Sequence, residues 1–326
     1  MAVPHLAGTS ALWLSFALPV LVLLALDLGL YLRQKDREPT LKESLAWTGV
    51  WAAVAGIFGM ALTANLGAKE GLSFLTAYVV EQALSVDNLF VFLLVFGELG
   101  VPSAARKRAL AWGVLGALVL RIAMLAAGGA FLEHFHALGW ALGGLLVVMG
   151  VRAALELRRP KSESEREGDE RPKSTAATQL LSRWLPVHDR FDEDRFTTHI
   201  GGRQYATPLL VAVVTILFAD VVFALDSIPA VLGVSTTPIV VVTSNVLAVL
   251  GLRSMFFLVQ GLLSRLKYLP HGLAAVLVVV GAKMLLGIFV TIPTWLSLLS
   301  VLSVLGVAVV VSLRATARAA RATKRA

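Results

Sequence analysis

Nine stretches of this chain run for about twenty mostly apolar residues each, the length and character a helix needs to cross the hydrocarbon core of a bilayer. They lie near 11–32, 44–66, 72–97, 109–131, 137–157, 207–231, 238–261, 270–290 and 293–313. Backbone that crosses hydrocarbon must satisfy its own N–H and C=O groups, which confines segments of this kind to helices. The expected fold class is therefore all-α, a polytopic transmembrane helix bundle of about nine spans. Composition agrees, with 57% hydrophobic and 15% charged residues, where soluble domains carry about 25% charged residues.

The formal net charge of +8 would point to nucleic acid in a soluble protein, but here the basic residues gather at span ends. Arg33, Lys35 and Arg37 follow the first span, and Arg106, Lys107 and Arg108 follow the third. A highly charged segment follows the fifth, Arg265 and Lys267 the seventh, and a tail with Arg314, Arg318, Arg321, Lys324 and Arg325 the ninth. Every odd-numbered span thus ends on the basic side, which by the positive-inside rule predicts the N-terminus outside and the C-terminus in the cytoplasm. Residues 11–32 have neither a basic leader nor a small-residue cleavage pattern, so a retained span is expected. No nucleic acid partner is expected; the lipid bilayer is. The absence of cysteine excludes disulfides, thiolate metal sites and iron–sulfur clusters.

The organisation reads as two N-terminal spans over 1–70, a three-span unit over 71–157, a hydrophilic segment over 158–206, a second three-span unit over 207–291, and a last span with a basic tail over 292–326. RRPKSESEREGDERPKS, early in the hydrophilic segment, is low in complexity and is expected to be a cytoplasmic linker, with room for an accessory protein. Further on, Phe196 to Ile200 and Arg203 to Thr207 flank Gly201-Gly202, a pattern that fits a small hairpin or an irregular loop.

The two three-span units echo each other. TAYVVEQALSVDNLFVF places Glu81 and Asp87 six residues apart, and TILFADVVFALDSIPAV places Asp220 and Asp226 six apart, with Thr76 and Thr215 at equal distance ahead. GALVLRIAML around Arg121 resembles LAVLGLRSMFFL around Arg253, and LLVVMGVR ending at Arg152 resembles LVVVGAK ending at Lys283. A unit of three spans reverses direction on repetition, so an inverted repeat of two three-helix units is expected, with a substrate site near the midplane.

Ionisable groups inside a span are costly and face a partner, an ion or a water-filled cavity. In a straight helix a step of six residues turns the second acid roughly 240° from the first. Both acids of a motif reach one ion only if the helix is bent or broken, and Pro229 beside Asp226 permits that. Asn88 and Ser227 add polar groups after the second acids. The alternative is structural pairing of the acids with Arg121 and Arg253, which are candidate counter-ions in either reading. Four matched acids favour the ion site. Carboxylates, an amide and a hydroxyl make a hard oxygen donor set suited to manganese, calcium or magnesium. Asn245 reads as an interhelical hydrogen-bond partner. Glu133, His134 and His136, and the run His188, Asp189, Asp192, Glu193 and Asp194, read as solvated surface. Asp27, towards the inner end of the first span, reads as a headgroup-level residue.

VEQALSVDNLFVF and FADVVFALDSIPAV, with ATPL ahead of the second, resemble the signature motifs of the TerC family of integral membrane proteins, over residues 10–315. The family takes its name from tellurium resistance and is linked to manganese export. The resemblance implies that Glu81, Asp87, Asn88, Asp220, Asp226 and Ser227 occupy ion-binding positions. It also implies a secondary exporter of a divalent cation in a bacterial cytoplasmic membrane, with Mn2+ as the transported ion and Ca2+ as the alternative. A competing reading is a membrane scaffold or metal-handover protein, serving tellurium resistance or the metallation of secreted enzymes. Many members carry a glutamate three residues before the acid at 220, where this chain has Leu217. No Walker A loop, nucleophile motif or Gly-rich nucleotide fingerprint is present, so an enzyme is not expected.

Overall fold

The computed structural model describes residues 4–33, 38–127, 136–157, 187–188, 191–192, 195–200, 202–263, 266, 268–287, 290 and 294–323. For some of these, Asp87 and Asp226 included, only the backbone is described. Nine helices stand among the described residues: α1 (Pro4–Arg33), α2 (Leu41–Leu66), α3 (Ala68–Glu98), α4 (Ser103–Ala127), α5 (His136–Glu156), α6 (Pro208–Leu232), α7 (Pro238–Leu263), α8 (Leu269–Leu286) and α9 (Thr294–Thr323). They coincide with the nine apolar stretches. Six of them, α1 to α4, α6 and α7, are long and apolar enough to span a bilayer. Shorter apolar runs, Gly143–Leu155, Pro270–Leu286 and Leu299–Ala315, lie in α5, α8 and α9. The chain is an all-α polytopic membrane protein.

Local chemistry sets the helix ends. Thr40 opens α2 with a capping box: the Glu43 amide donates to Thr40 Oγ1 at 3.3 Å and the Thr40 amide to Glu43 Oε2 at 2.7 Å, which satisfies two amides that would otherwise lack partners. Between α2 and α3 only Gly67 intervenes, at φ +99°, a conformation that side-chain-bearing residues resist.

Around the helices, large apolar side chains such as Leu18, Ile57, Met60, Val119 and Val307 point outward and are exposed, as lipid-facing positions are. Helix α7 is the exception, buried along most of its length against α2, α3 and α4. Two apolar clusters hold the bundle. One joins α1, α2 and the start of α3 to α7 through Phe16, Phe58 and Phe74, whose rings meet tilted at 4.9 Å and edge-on at 5.2 Å. The other begins at Leu89 of α3 and takes in α4, α6 and the far part of α7, where Phe96 meets Phe256 edge-on at 5.5 Å. Along α3 these clusters leave a polar belt between Tyr78 and Leu89.

Helices α5 and α8 pack most intimately of all. A Cβ added to Gly281 would lie 2.6 Å from the Gly143 carbonyl oxygen, and one added to Gly150 would lie 2.8 Å from that of Ala274. As numbers rise on one helix they fall on the other, so the pair is antiparallel. Small residues allow such backbone approach, the usual basis of helix association in lipid. Under the sequence correspondence that aligns Gly150 with Gly281, each of these contacts is the counterpart of the other.

Between α5 and α6, strands β1 (Thr197–Ile200) and β2 (Arg203–Ala206) form an antiparallel hairpin in which Ile200 faces Arg203 across a two-residue turn. Gly202 takes the positive φ of 79° there. The hairpin is seated by Phe196, whose ring meets Trp112 of α4 at 6.2 Å and lies 5.3 Å from the Arg108 guanidinium. Thr207, just ahead of α6, donates its hydroxyl to the Arg195 carbonyl at 2.7 Å. The low-complexity linker and the Glu133–His134 pair lie outside the described residues.

The α5–α8 contact is testable. Gly281→Val would press on the Gly143 carbonyl oxygen and on the Val147 amide and Cγ2, all within 3 Å of an added Cβ, so it should cost about 1–3 kcal/mol and lower the thermal unfolding midpoint of the detergent-solubilised protein. Gly144→Val, where a Cβ meets nothing within 4 Å, should leave the midpoint in place. Equal midpoints for the two variants would refute this helix contact.

Candidate cation site

Helices α3 and α6 cross in the polar belt. Glu81 and Asn88 are seven residues apart on α3, and Asp220 and Ser227 seven apart on α6. Seven residues are nearly two full turns, so each pair shares one helix face, and all four residues are buried. Asn88 Nδ2 donates to Asp220 Oδ1 at 3.1 Å, and Ser227 Oγ donates to Glu81 Oε1 at 3.2 Å. The low-numbered end of one motif therefore meets the high-numbered end of the other, an antiparallel crossing. Exchanging Glu81 with Asp220 and Asn88 with Ser227 converts one hydrogen bond into the other.

Arg121 of α4 closes this crossing. The residue is 1% exposed. It grips Asp220 in a two-pronged contact, Nε to Oδ2 at 3.2 Å and Nη2 to Oδ1 at 3.1 Å, the geometry that suits guanidinium to carboxylate. Nη1 forms an ion pair with Glu81 and reaches Ser227 Oγ at 3.5 Å and Asn245 Oδ1 of α7 at 3.4 Å. Four helices are thus tied to one side chain. Asn245 acts as the interhelical partner expected of it, its own amide donating to the Val241 carbonyl at 3.0 Å.

The balance of charge is incomplete. Two carboxylates face one guanidinium, and Glu81 Oε2 and Asn88 Oδ1 are buried without a hydrogen-bond partner. Buried polar atoms in that condition are rare in proteins and call for an explanation. A small cavity adjoins this cluster, lined by Asn88, Arg121, Ser227, Phe223, Val280 and Lys283. Lys283 of α8, which the sequence reading used only to mark the repeat, thereby brings a second cation to the same place. Among the described residues, no three His, Asp or Glu side chains gather into a metal-binding cluster.

A profile of the integral membrane protein TerC family matches residues 66–323. The chain belongs to the TerC family. It is 43% identical over 306 residues to the uncharacterized membrane protein STKORF319 of Myxococcus xanthus, covering 94% of this chain and 93% of that one. It is 39% identical over 303 residues to the provisionally named membrane-bound redox modulator Alx of Escherichia coli (strain K12), covering 89% and 90%. The uncharacterized membrane protein Mb2742 of Mycobacterium bovis is 34% identical over 280 residues, covering 86% of this chain and 69% of its own. No solved structure matches.

In this TerC protein, Glu81, Asn88, Asp220, Ser227 and Arg121 come together, while two expectations need correction. The first is a broken helix. Both α3 and α6 run unbroken through their motifs, with Pro229 inside α6 three residues before its end. The backbones at Asp87 and Asp226 lie within these helices, and their side chains lie outside what is described. The second concerns Asp27, expected at headgroup level: it forms an ion pair with Arg253 of α7, the other candidate counter-ion, and both residues are buried. Asp27 is accordingly a buried partner and not a headgroup-level residue. Leu217, where many members have a glutamate, packs against Gly116 of α4; a Cβ there would approach Leu217 Cδ2 to 2.6 Å.

Arg121→Gln should strip the central acids of their cation. Breaking a buried pair from one side costs about 3–5 kcal/mol, so the thermal midpoint of the purified protein should fall without added metal and recover on addition of Mn2+. A midpoint equal to wild type without metal would show that Arg121 does not neutralise these acids.

Proposed function

We propose that this TerC protein is a secondary transporter that exports a divalent metal cation, manganese foremost and calcium as the alternative. In this reading it sits in a bacterial cytoplasmic membrane with its N-terminus outside and its C-terminus inside. The observation that carries the proposal is the buried oxygen set at the α3–α6 crossing, with two acceptor oxygens unpartnered and an arginine seated between its acids. Carboxylate, amide and hydroxyl oxygens select hard cations, and buried acids within spans mark ion pathways.

Charge supports a divalent ion. With all groups ionised, Glu81, Asp87, Asp220 and Asp226 against Arg121 and Lys283 sum to −2, which one divalent cation cancels. In the proposed cycle the entering cation takes the oxygens of Glu81 and Asp220 from Arg121, which retains Asn245 as a partner. Asp87 and Asp226 complete the ligand set as the cation moves along the crossing. When the cation leaves, Arg121 returns and the empty carrier carries less unbalanced charge through hydrocarbon. The units α3–α5 and α6–α8 act as inverted halves that move against each other, a reading supported by the paired equivalence of the α3–α6 and α5–α8 contacts.

The name of Alx offers a second reading, redox modulation. With no cysteine in the chain, its own thiols cannot carry such a role. Export of a redox-active cation would bear on redox balance indirectly, which makes the transport reading the more economical.

The test is flux. Protein reconstituted alone in liposomes should move Mn2+, and Asp220→Asn or Glu81→Gln should reduce that flux to the level of protein-free liposomes while inserting normally. Wild-type flux in both variants, or none in the unaltered protein, would overturn the proposal.

A further inference from the structure

Between Glu81 and Asn88 on the same face of α3 stands Ser85, four residues after one and three before the other. It is 1% exposed, and its Oγ has no hydrogen-bond partner. That is unusual for a serine inside a helix, where the hydroxyl commonly turns back to a carbonyl one turn earlier. In this protein Thr63 donates to the Gly59 carbonyl, Thr215 to that of Val211, Thr243 to that of Ile239 and Ser254 to that of Gly251. Ser85 is buried and makes no such bond. Three consecutive oxygen-bearing positions of one helix face, Glu81 Oε2, Ser85 Oγ and Asn88 Oδ1, therefore hold acceptor capacity that no described group uses.

We propose that Ser85 is a further cation ligand, so that α3 presents a ladder of carboxylate, hydroxyl and amide oxygens to one hard divalent ion. The inference rests on reading the α3–α6 crossing as a cation site, and adds a residue that the paired motifs do not reveal. In the matched position of α6 stands Ala224, also fully buried, so the second half offers a methyl group where the first offers a hydroxyl. The ligand sphere is consequently lopsided, with α3 supplying one oxygen group more than α6. A neutral hydroxyl raises the coordination number without adding charge, as the many-oxygen spheres of hard cations require.

The chain has no cysteine, so Ser85→Cys carries a single thiol in the full-length protein. If Ser85 is a ligand, Mn2+ should slow the reaction of that thiol with a small methanethiosulfonate reagent. The exchange of hard oxygen for soft sulfur should also move the ratio of Cd2+ to Mn2+ affinity upward by about tenfold or more. Ser85→Ala should weaken Mn2+ binding, read as a smaller Mn2+-induced rise in thermal midpoint, with the metal-free midpoint retained. The ligand assignment is overturned if wild type binds Mn2+, Asp220→Asn does not, and yet both Ser85 variants keep wild-type affinity with a thiol that reacts equally with and without Mn2+. In that outcome the exporter reading survives. If neither Mn2+ nor Ca2+ shifts the wild-type midpoint, the cation reading and the role of Ser85 fall together.

Discussion

A guanidinium that cannot be deprotonated sits in the middle of this bundle, and the arrangement around it follows from that. Arginine stays charged at any accessible pH, so burying Arg121 at 1% exposure requires carboxylates from its neighbours. Glu81 on α3 and Asp220 on α6 supply them, and Asn245 on α7 takes up a remaining donor. Four helices are fixed in rotation and in depth by one side chain. Such a network is a poor source of stability, since desolvating the charges offsets most of their attraction. Apolar residues of similar volume would hold four helices together at least as well. What they would not provide is a site whose acids can exchange one cation for another.

The two antiparallel crossings divide the labour. Where α5 meets α8, Gly143, Gly150 and Gly281 bring the backbones close, and no room is left for a side chain at those three positions. Where α3 meets α6, the contact is made by side-chain oxygens with a cavity alongside. The first crossing is close-packed and would serve as the pivot of the proposed motion; the second is polar and under-satisfied, and would be the one to reorganise. Apolar clusters on either side of the polar belt keep water from reaching it freely, which strengthens each electrostatic contact inside.

Much of this could be read from residues alone, because hydrocarbon imposes simple rules. The nine apolar stretches match the nine described helices, and the four intramembrane acids stood out against their surroundings. The six-residue spacing of the acids pointed to bent or broken helices, and both helices run unbroken; the contacts seen at the crossing follow instead from the seven residues from Glu81 to Asn88 and from Asp220 to Ser227, which need no bend. The same helical arithmetic applied to Glu81 would have picked out Ser85 at the next turn. Which arginine serves the acids could not be read, since Arg121 and Arg253 lie in similar surroundings and only packing distinguishes them. Asp27 decides the matter from a helix that lies outside the repeated units.

That asymmetry bears on how a carrier of this design would rest. If two inverted halves were identical, the inward- and outward-facing states would be mirror arrangements of equal energy. In the carrier proposed for this chain they would not be equal. Arg121 neutralises the central acids while Arg253 is engaged by Asp27; interchanging the roles would leave Asp27 buried without its cation and Arg121 without its carboxylates. An unpaired charge in such surroundings is strongly disfavoured, so in the proposed carrier the helix outside the two units would bias the empty protein towards one arrangement. If Ser85 is a ligand, the methyl group of Ala224 at the matched position would leave more of the cation's oxygens on α3. In a carrier assembled from two similar halves, direction would then come from the few positions at which the halves differ.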